Sequence, residues 1–203
     1  MYIQINKQFD KEDKHSIEFH LEWTRALWES KAEVVIIDLR NDPGGMTNVG
    51  SGIPKFLENM YFTRSNLKGI AVLMGLDTVS AGTILIAELE NAVQPVMIGE
   101  ATGSSPNMYL NAHKVMLPYS KLQLEVSKDV YTSVHEADPR SYIAPDMPMA
   151  LNFEAYANGR DPLLESAKSV DRDLMEKMYK RASHNAPWMR NSQVNAIKHV
   201  STT

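Results

Sequence analysis

The sequence predicts an α/β fold in which parallel strands alternate with crossover helices, and three observations carry that expectation. Two runs, Val34 to Leu39 and Gly69 to Met74, are almost continuously apolar, as strands covered on both faces are. Each is followed by a turn signal and then by a stretch with helical spacing of apolar residues. The alternation repeats a third time through Val96-Met97-Ile98, which is the signature of βαβ units.

Taken in order, Met1 to Asn6 alternates and holds Tyr2, Ile3 and Ile5, so it reads as a first strand. Because that strand begins at residue one, the start is expected to be truncated. From His15 to Trp28 a helix is expected, with Ile17, Leu21 and Trp28 on the side facing the sheet and Leu27 flanking them. The strand Val34 to Leu39 runs into Pro43-Gly44-Gly45, and a helix over Asn48 to Tyr61 follows. Gly69 to Met74 leads through Thr78-Val79-Ser80 into a helix over Ser80 to Ala92, which contains Ile84, Leu85, Ala87 and Leu89.

Beyond Gly99 the texture changes. Ala101 to Asn107 is small and polar, Lys114 to Leu117 and Lys121 to Val126 alternate as strands, and Asp146 to Leu151 reads as another, so a mixed sheet or small β layer is expected. Asn158-Gly159 is a helix stop, and Asp161-Pro162 is an N-cap with proline at the first helical position. Leu163, Leu164, Ala167 and Val170 give that helix an apolar side, and a further helix is expected over Asp171 to Ala182. The domain reading is a core over residues 1–170 followed by a helical extension and polar tail over 171–203.

Composition narrows the function classes. At 203 residues, 43% apolar and 23% charged, the chain has the make-up of a globular domain, and its net charge of −4 gives no electrostatic reason to expect nucleic acid. No apolar run approaches the roughly 18–20 residues that span a bilayer, and Met1 to Ile5 lacks the basic and apolar regions of a signal peptide. Cysteine is absent, which excludes disulfides and thiolate chemistry. No zinc-binding helix motif and no dinucleotide fingerprint occurs, so neither a metal nor a cofactor is expected.

What remains is acyl chemistry. Ser80 opens a helix, where the positive end of the dipole favours developing negative charge. Taken alone it reads as an N-cap, the usual occupation of a serine there. The Gly44-Gly45 turn can present bare N–H groups, and the N–H of Ala81 follows the serine directly. Two such donors aimed at one oxygen make an oxyanion hole.

The wording of these segments resembles a known family. Ile36-Ile37-Asp38-Leu39-Arg40-Asn41-Asp42-Pro43-Gly44-Gly45 is similar to the core signature of the tail-specific, or C-terminal processing, serine peptidases, and Ser80-Ala81-Gly82 to their nucleophile motif. Three further segments resemble the family in order: Ile98 to Gly103, Ile143 to Pro148, and Gly159 to Glu165. The resemblance implies a crotonase- or Clp protease-like core, Ser80 as nucleophile, Gly45 and Ala81 as oxyanion donors, and an extended polypeptide as substrate. It leaves homo-oligomers open and the location unknown, the family being often extracytoplasmic.

The family's base lysine has no counterpart here, because its position holds Ser105, and a serine cannot replace an amine base. The tricorn branch takes a histidine from a region preceding the matched core, which this chain is expected to lack. Lys114 and Lys121 read as surface charges, and His20, His113 and His135 as surface or satisfied histidines, with Glu136 or Asp138 as remote candidates to orient His135. Asp38 and Arg40 are expected to brace the turn. Three readings follow: a serine peptidase core, a peptide-binding module that has lost its base, and an acyl-thioester enzyme of the crotonase type.

Overall fold

The computed structural model describes residues 1–9, 15–132, 136 and 138–185. Five strands form one parallel sheet: β1 (Tyr2–Gln4), β2 (Val34–Asp38), β3 (Gly69–Met74), β4 (Val96–Gly99) and β7 (Met147–Pro148), in the order β1-β2-β3-β4-β7. The register places Ile36 beside Ala71 and Leu73 beside Ile98, so the three central strands present matched apolar rows. All six residues of β3 are buried. That requires cover on both faces.

Helices α1 (Ser16–Glu29), α2 (Gly52–Thr63) and α3 (Ala81–Ala92) are the crossovers, and they pack side by side as one layer. Helices α5 (Pro162–Ala167) and α6 (Arg172–Asn185) pack instead on β3 and β4, where Met175 of α6 is buried and its sulfur receives the Ile70 N–H at 3.3 Å. A short helix, α4 (Phe153–Ala157), precedes α5 and is capped by Asn152, whose Oδ1 accepts the Ala155 N–H at 2.8 Å. Its end agrees with the Asn158-Gly159 stop, while its start carries no sequence signal of its own, since five residues are too few to display a period. Asp161 caps α5 as its sequence predicts, accepting the Leu164 N–H at 3.1 Å. Among the described residues no helix is long and apolar enough to cross a membrane.

The buried face of α1 is not the expected one. Ile17, Leu21 and Trp28 are 66%, 65% and 62% exposed, while Trp23 and Leu27 are buried. Two apolar stripes compete on this helix, and tertiary packing chooses the one with better partners. Trp23 meets the Phe56 ring edge-on at 5.1 Å, and its indole N–H donates to His20 Nδ1 at 3.1 Å. His20 therefore carries its proton on Nε2, which donates to the Val49 carbonyl. It is a satisfied structural histidine.

The segment beyond Gly99 forms a two-stranded antiparallel ribbon of β5 (Met108–Met116) and β6 (Gln123–Tyr131), separate from the main sheet. Its strands are longer than the alternation predicts. Pairing sets Val115 opposite Leu124 and Tyr109 opposite Val130, so these four share one face with Val126, and all five are exposed. Lys114 lies in β5 and Lys121 in the turn, both exposed as expected.

Asp38 and Arg40 brace the base of the 39–46 loop rather than its glycine turn. Arg40 forks onto Asp38 (Nε to Oδ1 3.0 Å, Nη2 to Oδ2 2.7 Å) and onto Asp161 (Nη1 to Oδ1 3.0 Å, Nη2 to Oδ2 2.7 Å). The Tyr2 hydroxyl donates to Asp38 Oδ2 at 2.6 Å. Burial, then the Asp38 hydrogen bond, push the Tyr2 hydroxyl up to about 12. The Asp38–Arg40 pair thus joins β1, β2 and α5.

Two substitutions test this clamp. Arg40→Ala leaves the Asp38 carboxylate, 1% exposed, without its counter-charge, and is expected to lower the urea-unfolding free energy by about 3–5 kcal/mol. At Asp161 burial pushes the carboxyl up, but hydrogen bonds from Arg40 and the α5 backbone outweigh it and hold it below the ordinary carboxylate range. A depressed carboxyl contributes stability above its unfolded value and loses it as pH falls through the folded one. Asp161→Asn keeps the cap and removes the charge. Its deficit, about 1 kcal/mol at pH 7, should begin to shrink as pH falls below about 4 and vanish once pH has passed the lower folded value, in the same denaturation series.

Candidate active site

The loops leaving the carboxyl ends of β2, β3 and β4 meet at one edge of the sheet, the position where open α/β sheets place their sites. The loop after β3 holds Ser80 at the entrance of α3. Residues Val79-Ser80-Ala81-Gly82 form a turn closed by the Gly82 N–H to the Val79 carbonyl at 3.0 Å. Ser80 has φ 52° and ψ −123°, the first central position of a type II′ turn, which glycine normally fills. Holding a serine there costs about 1–3 kcal/mol. Its side chain makes no capping bond, so the N-cap role that a helix-opening serine usually takes is not used. Among the described residues, no hydrogen bond engages the Ser80 hydroxyl.

The glycine turn seats directly against this elbow. Gly44 has φ 89°, and a Cβ on it would lie 2.7 Å from both Ser80 Cβ and the Ala81 nitrogen. Gly45 has φ 144° and runs beside Gln8 as an isolated parallel bridge. In that bridge the Gln8 N–H donates to the Gly44 carbonyl (3.0 Å) and the Met46 N–H to the Gln8 carbonyl (2.6 Å). The Gly45 N–H therefore points away from Gln8. Neither it nor the Ala81 N–H has a backbone acceptor among the described residues.

Buried polar groups hold the two loops together. Asp42 accepts the Gly44 N–H on Oδ1 (3.0 Å) and the Gln8 amide on Oδ2 (2.7 Å), while its backbone carbonyl takes the Val79 N–H at 3.1 Å. Burial pushes the Asp42 carboxyl up, against the pull of those two hydrogen bonds. Thr78 Oγ1 donates to the Leu39 carbonyl at 2.8 Å and accepts the Gly75 N–H at 3.0 Å. Gln8, Asp42 and Thr78 were not singled out in the sequence. Of the three only Asp42, just ahead of Pro43-Gly44, gives a local signal, that of an Asx turn closed by the Gly44 N–H.

Ser105 does not face Ser80. Its hydroxyl donates to the Asn107 carbonyl. The neighbouring Ser104 makes the contact instead: its Oγ accepts the Ser80 N–H at 3.0 Å and lies 2.8 Å from Thr83 Oγ1. His113 is exposed on β5, and His135 lies outside the described residues. Asp138 is held by Arg140 (Nε to Oδ1 2.9 Å), which also forks onto Glu90 of α3 (2.7 and 3.0 Å), so it braces the α3 end of the fold. Among the described residues, no group of three or more His, Asp or Glu side chains is placed to hold a metal ion.

Comparison with known proteins places this geometry in a fold class. No family model matches the sequence, and no curated protein matches it. Among solved structures, the chain is similar to the tricorn protease (TM-score 0.55, 16% identity, 88% of this chain and 18% of that one). It is also similar to a Bacteroides fragilis protein assigned to the S41 proteases (0.53, 16%, 88% and 54%). A third is the photosystem II D1 C-terminal processing protease (0.50, 16%, 73% and 42%). The architecture is thus the α/β fold of S41 and tricorn protease domains. The chain spans 18% to 54% of the length of these three proteins.

The raised Asp42 carboxyl gives a test of the loop linkage. A buried acid with a raised value stabilises the fold when protonated and loses that contribution as pH rises through the folded value. Asp42→Asn still accepts the Gly44 N–H and can donate to the unpartnered Gln8 Oε1 once that amide turns over. It is expected to unfold at a higher urea midpoint than wild type at pH 7, with the gap closing as pH approaches the ordinary carboxylate range.

Proposed function

We propose that the chain is the core of a serine-type peptidase in which Ser80 is the nucleophile and the N–H groups of Gly45 and Ala81 receive the oxyanion. The observation that carries this reading is the Ser80 backbone. A serine held in a glycine conformation at a strand-to-helix turn, with no hydrogen bond on its hydroxyl among the described residues, is what a nucleophile elbow of hydrolases requires, and it supports this reading. Strain of this kind has no use in a plain helix start.

In the proposed reaction Ser80 Oγ attacks the carbonyl carbon of a peptide bond and gives up its proton to a base. Negative charge moves to the carbonyl oxygen between the two N–H donors, at the positive end of α3. Collapse breaks the C–N bond, the amine leaves with a proton, and water then hydrolyses the acyl-serine. The substrate is a polypeptide held in extended form near its C-terminus, as the sequence resemblance implies. The tail-specific assignment belongs to the same proposal, supported by the ordered motifs.

The base is the open step, and Ser105 favours a second reading. With its hydroxyl turned to Asn107, the position gives no proton acceptor to Ser80. A module that binds peptide ends in the oxyanion turn without cutting them fits that feature.

A fluorophosphonate probe separates the two. Wild type is expected to form a covalent adduct that Ser80→Ala does not, and a folded wild type that never labels would sink the peptidase reading. Ser105→Lys is expected to raise peptide turnover by about 10²–10⁴-fold if the rest of the site is intact. Under the second reading wild type binds peptides in calorimetry with no cleavage products in mass spectrometry.

A further inference from the structure

We infer that Ser104 is a positioning residue for Ser80, acting through a directed chain of hydrogen bonds that closes around the elbow. This rests on the proposed role of Ser80 and adds a residue that the motif resemblance does not single out.

The direction of the chain follows from the groups themselves. The Ser80 N–H can only donate, and Ser104 Oγ receives it at 3.0 Å. At the far end the Thr78 carbonyl can only accept, and Thr83 Oγ1 donates to it at 3.1 Å. A hydroxyl has one proton. Thr83 has spent its proton on Thr78, so the 2.8 Å contact between the two hydroxyls must carry the Ser104 proton to Thr83 Oγ1. The path runs Ser80 N–H to Ser104, Ser104 to Thr83, and Thr83 to Thr78, all in one sense. Hydrogen bonds aligned in this way polarise one another.

Its ends span the turn. Thr78 lies just before the elbow and Thr83 just after it, and Thr83 is fully buried in the first turn of α3. Ser104 arrives from another loop, the one after β4, and is fixed there in turn. Thr102 Oγ1 donates to the Ser104 carbonyl at 2.8 Å and accepts the Ile143 N–H at 2.9 Å, and the Gly103 N–H donates to the Thr78 carbonyl at 3.0 Å. The loop after β4 therefore grips the elbow at two adjacent residues.

Two consequences bear on the site. First, the Ser80 N–H is consumed by Ser104, whereas the N–H groups of Gly45 and Ala81 have no backbone acceptor among the described residues. Second, the strained φ and ψ of Ser80 are held by a hydrogen bond on its own N–H, which fixes the backbone that carries the hydroxyl. Ser104 touches neither substrate nor leaving group. Its effect is on where Ser80 Oγ stands.

The test uses amide hydrogen exchange at Ser80 by NMR together with the rate of fluorophosphonate labelling, in wild type, Ser104→Ala, Thr83→Val and Thr83→Ser. In Ser104→Ala and Thr83→Val the Ser80 amide is expected to exchange at least about 10-fold faster, with the β3 amides unchanged. Labelling should slow by about 10- to 100-fold. Thr83→Ser restores the hydroxyl and should return both readings to wild type, a rescue that general loosening of α3 would not give. Unchanged exchange and labelling in both Ser104→Ala and Thr83→Val would overturn the inference. If wild type itself never labels, the peptidase reading has failed on its own, and the exchange result alone decides the role of Ser104.

Discussion

The contact between the Gly44-Gly45 turn and the Ser80 elbow is the constraint on which the rest of the site depends. Two loops from neighbouring strands approach so closely that no side chain fits at Gly44, and both loops have positive φ where they meet. Glycine adopts its conformation freely, whereas that of Ser80 is costly alone. Together they persist because Asp42, Gln8, Thr78 and Ser104 supply directed hydrogen bonds on every side of the contact. The apolar sheet beneath provides the rigid base: β2 and β3 pair over five residues and carry both loops from adjacent carboxyl ends.

Much of this was legible in the sequence, and for a physical reason. Buried parallel strands need continuous apolar runs, so β2, β3 and β4 announced themselves, and the Pro-Gly-Gly and Ser-Ala-Gly turns mark where the chain must leave them. Local chemistry also revealed Asp161-Pro162 as a helix start. The exposed stripe on α1 was misread because Ile17, Leu21 and Trp28 satisfy the helical period as well as Trp23 and Leu27 do. Only the position of Phe56 and Val49 across the interface decides between them.

The polar framework was hidden for a different reason. Gln8, Asp42, Thr78, Thr83 and Ser104 come from four separate segments, and the bonds that join those segments link residues 21 to 39 positions apart. Ser104 and Ser105 illustrate the limit. Adjacent in the chain and identical in chemistry, they have opposite fates: one faces the elbow and the other turns to Asn107. Alignment to a motif finds the position of a missing base, whereas only the backbone tells which of two neighbouring hydroxyls reaches the serine.

The β5–β6 ribbon bears on the same loop from outside. It leaves the body at Met108, four residues after Ser104, and its two strands touch each other far more than they touch the sheet. Its root is tied down where the Asn107 amide donates to the Asp138 carbonyl at 3.1 Å, beside the Arg140–Glu90 fork. At about 3.3 Å per residue, each nine-residue strand of the ribbon is about 30 Å long. The loop that carries Ser104 is therefore moored on both flanks, by Thr102 on the Ile143 N–H before it and by the Asn107 amide on the Asp138 carbonyl after it.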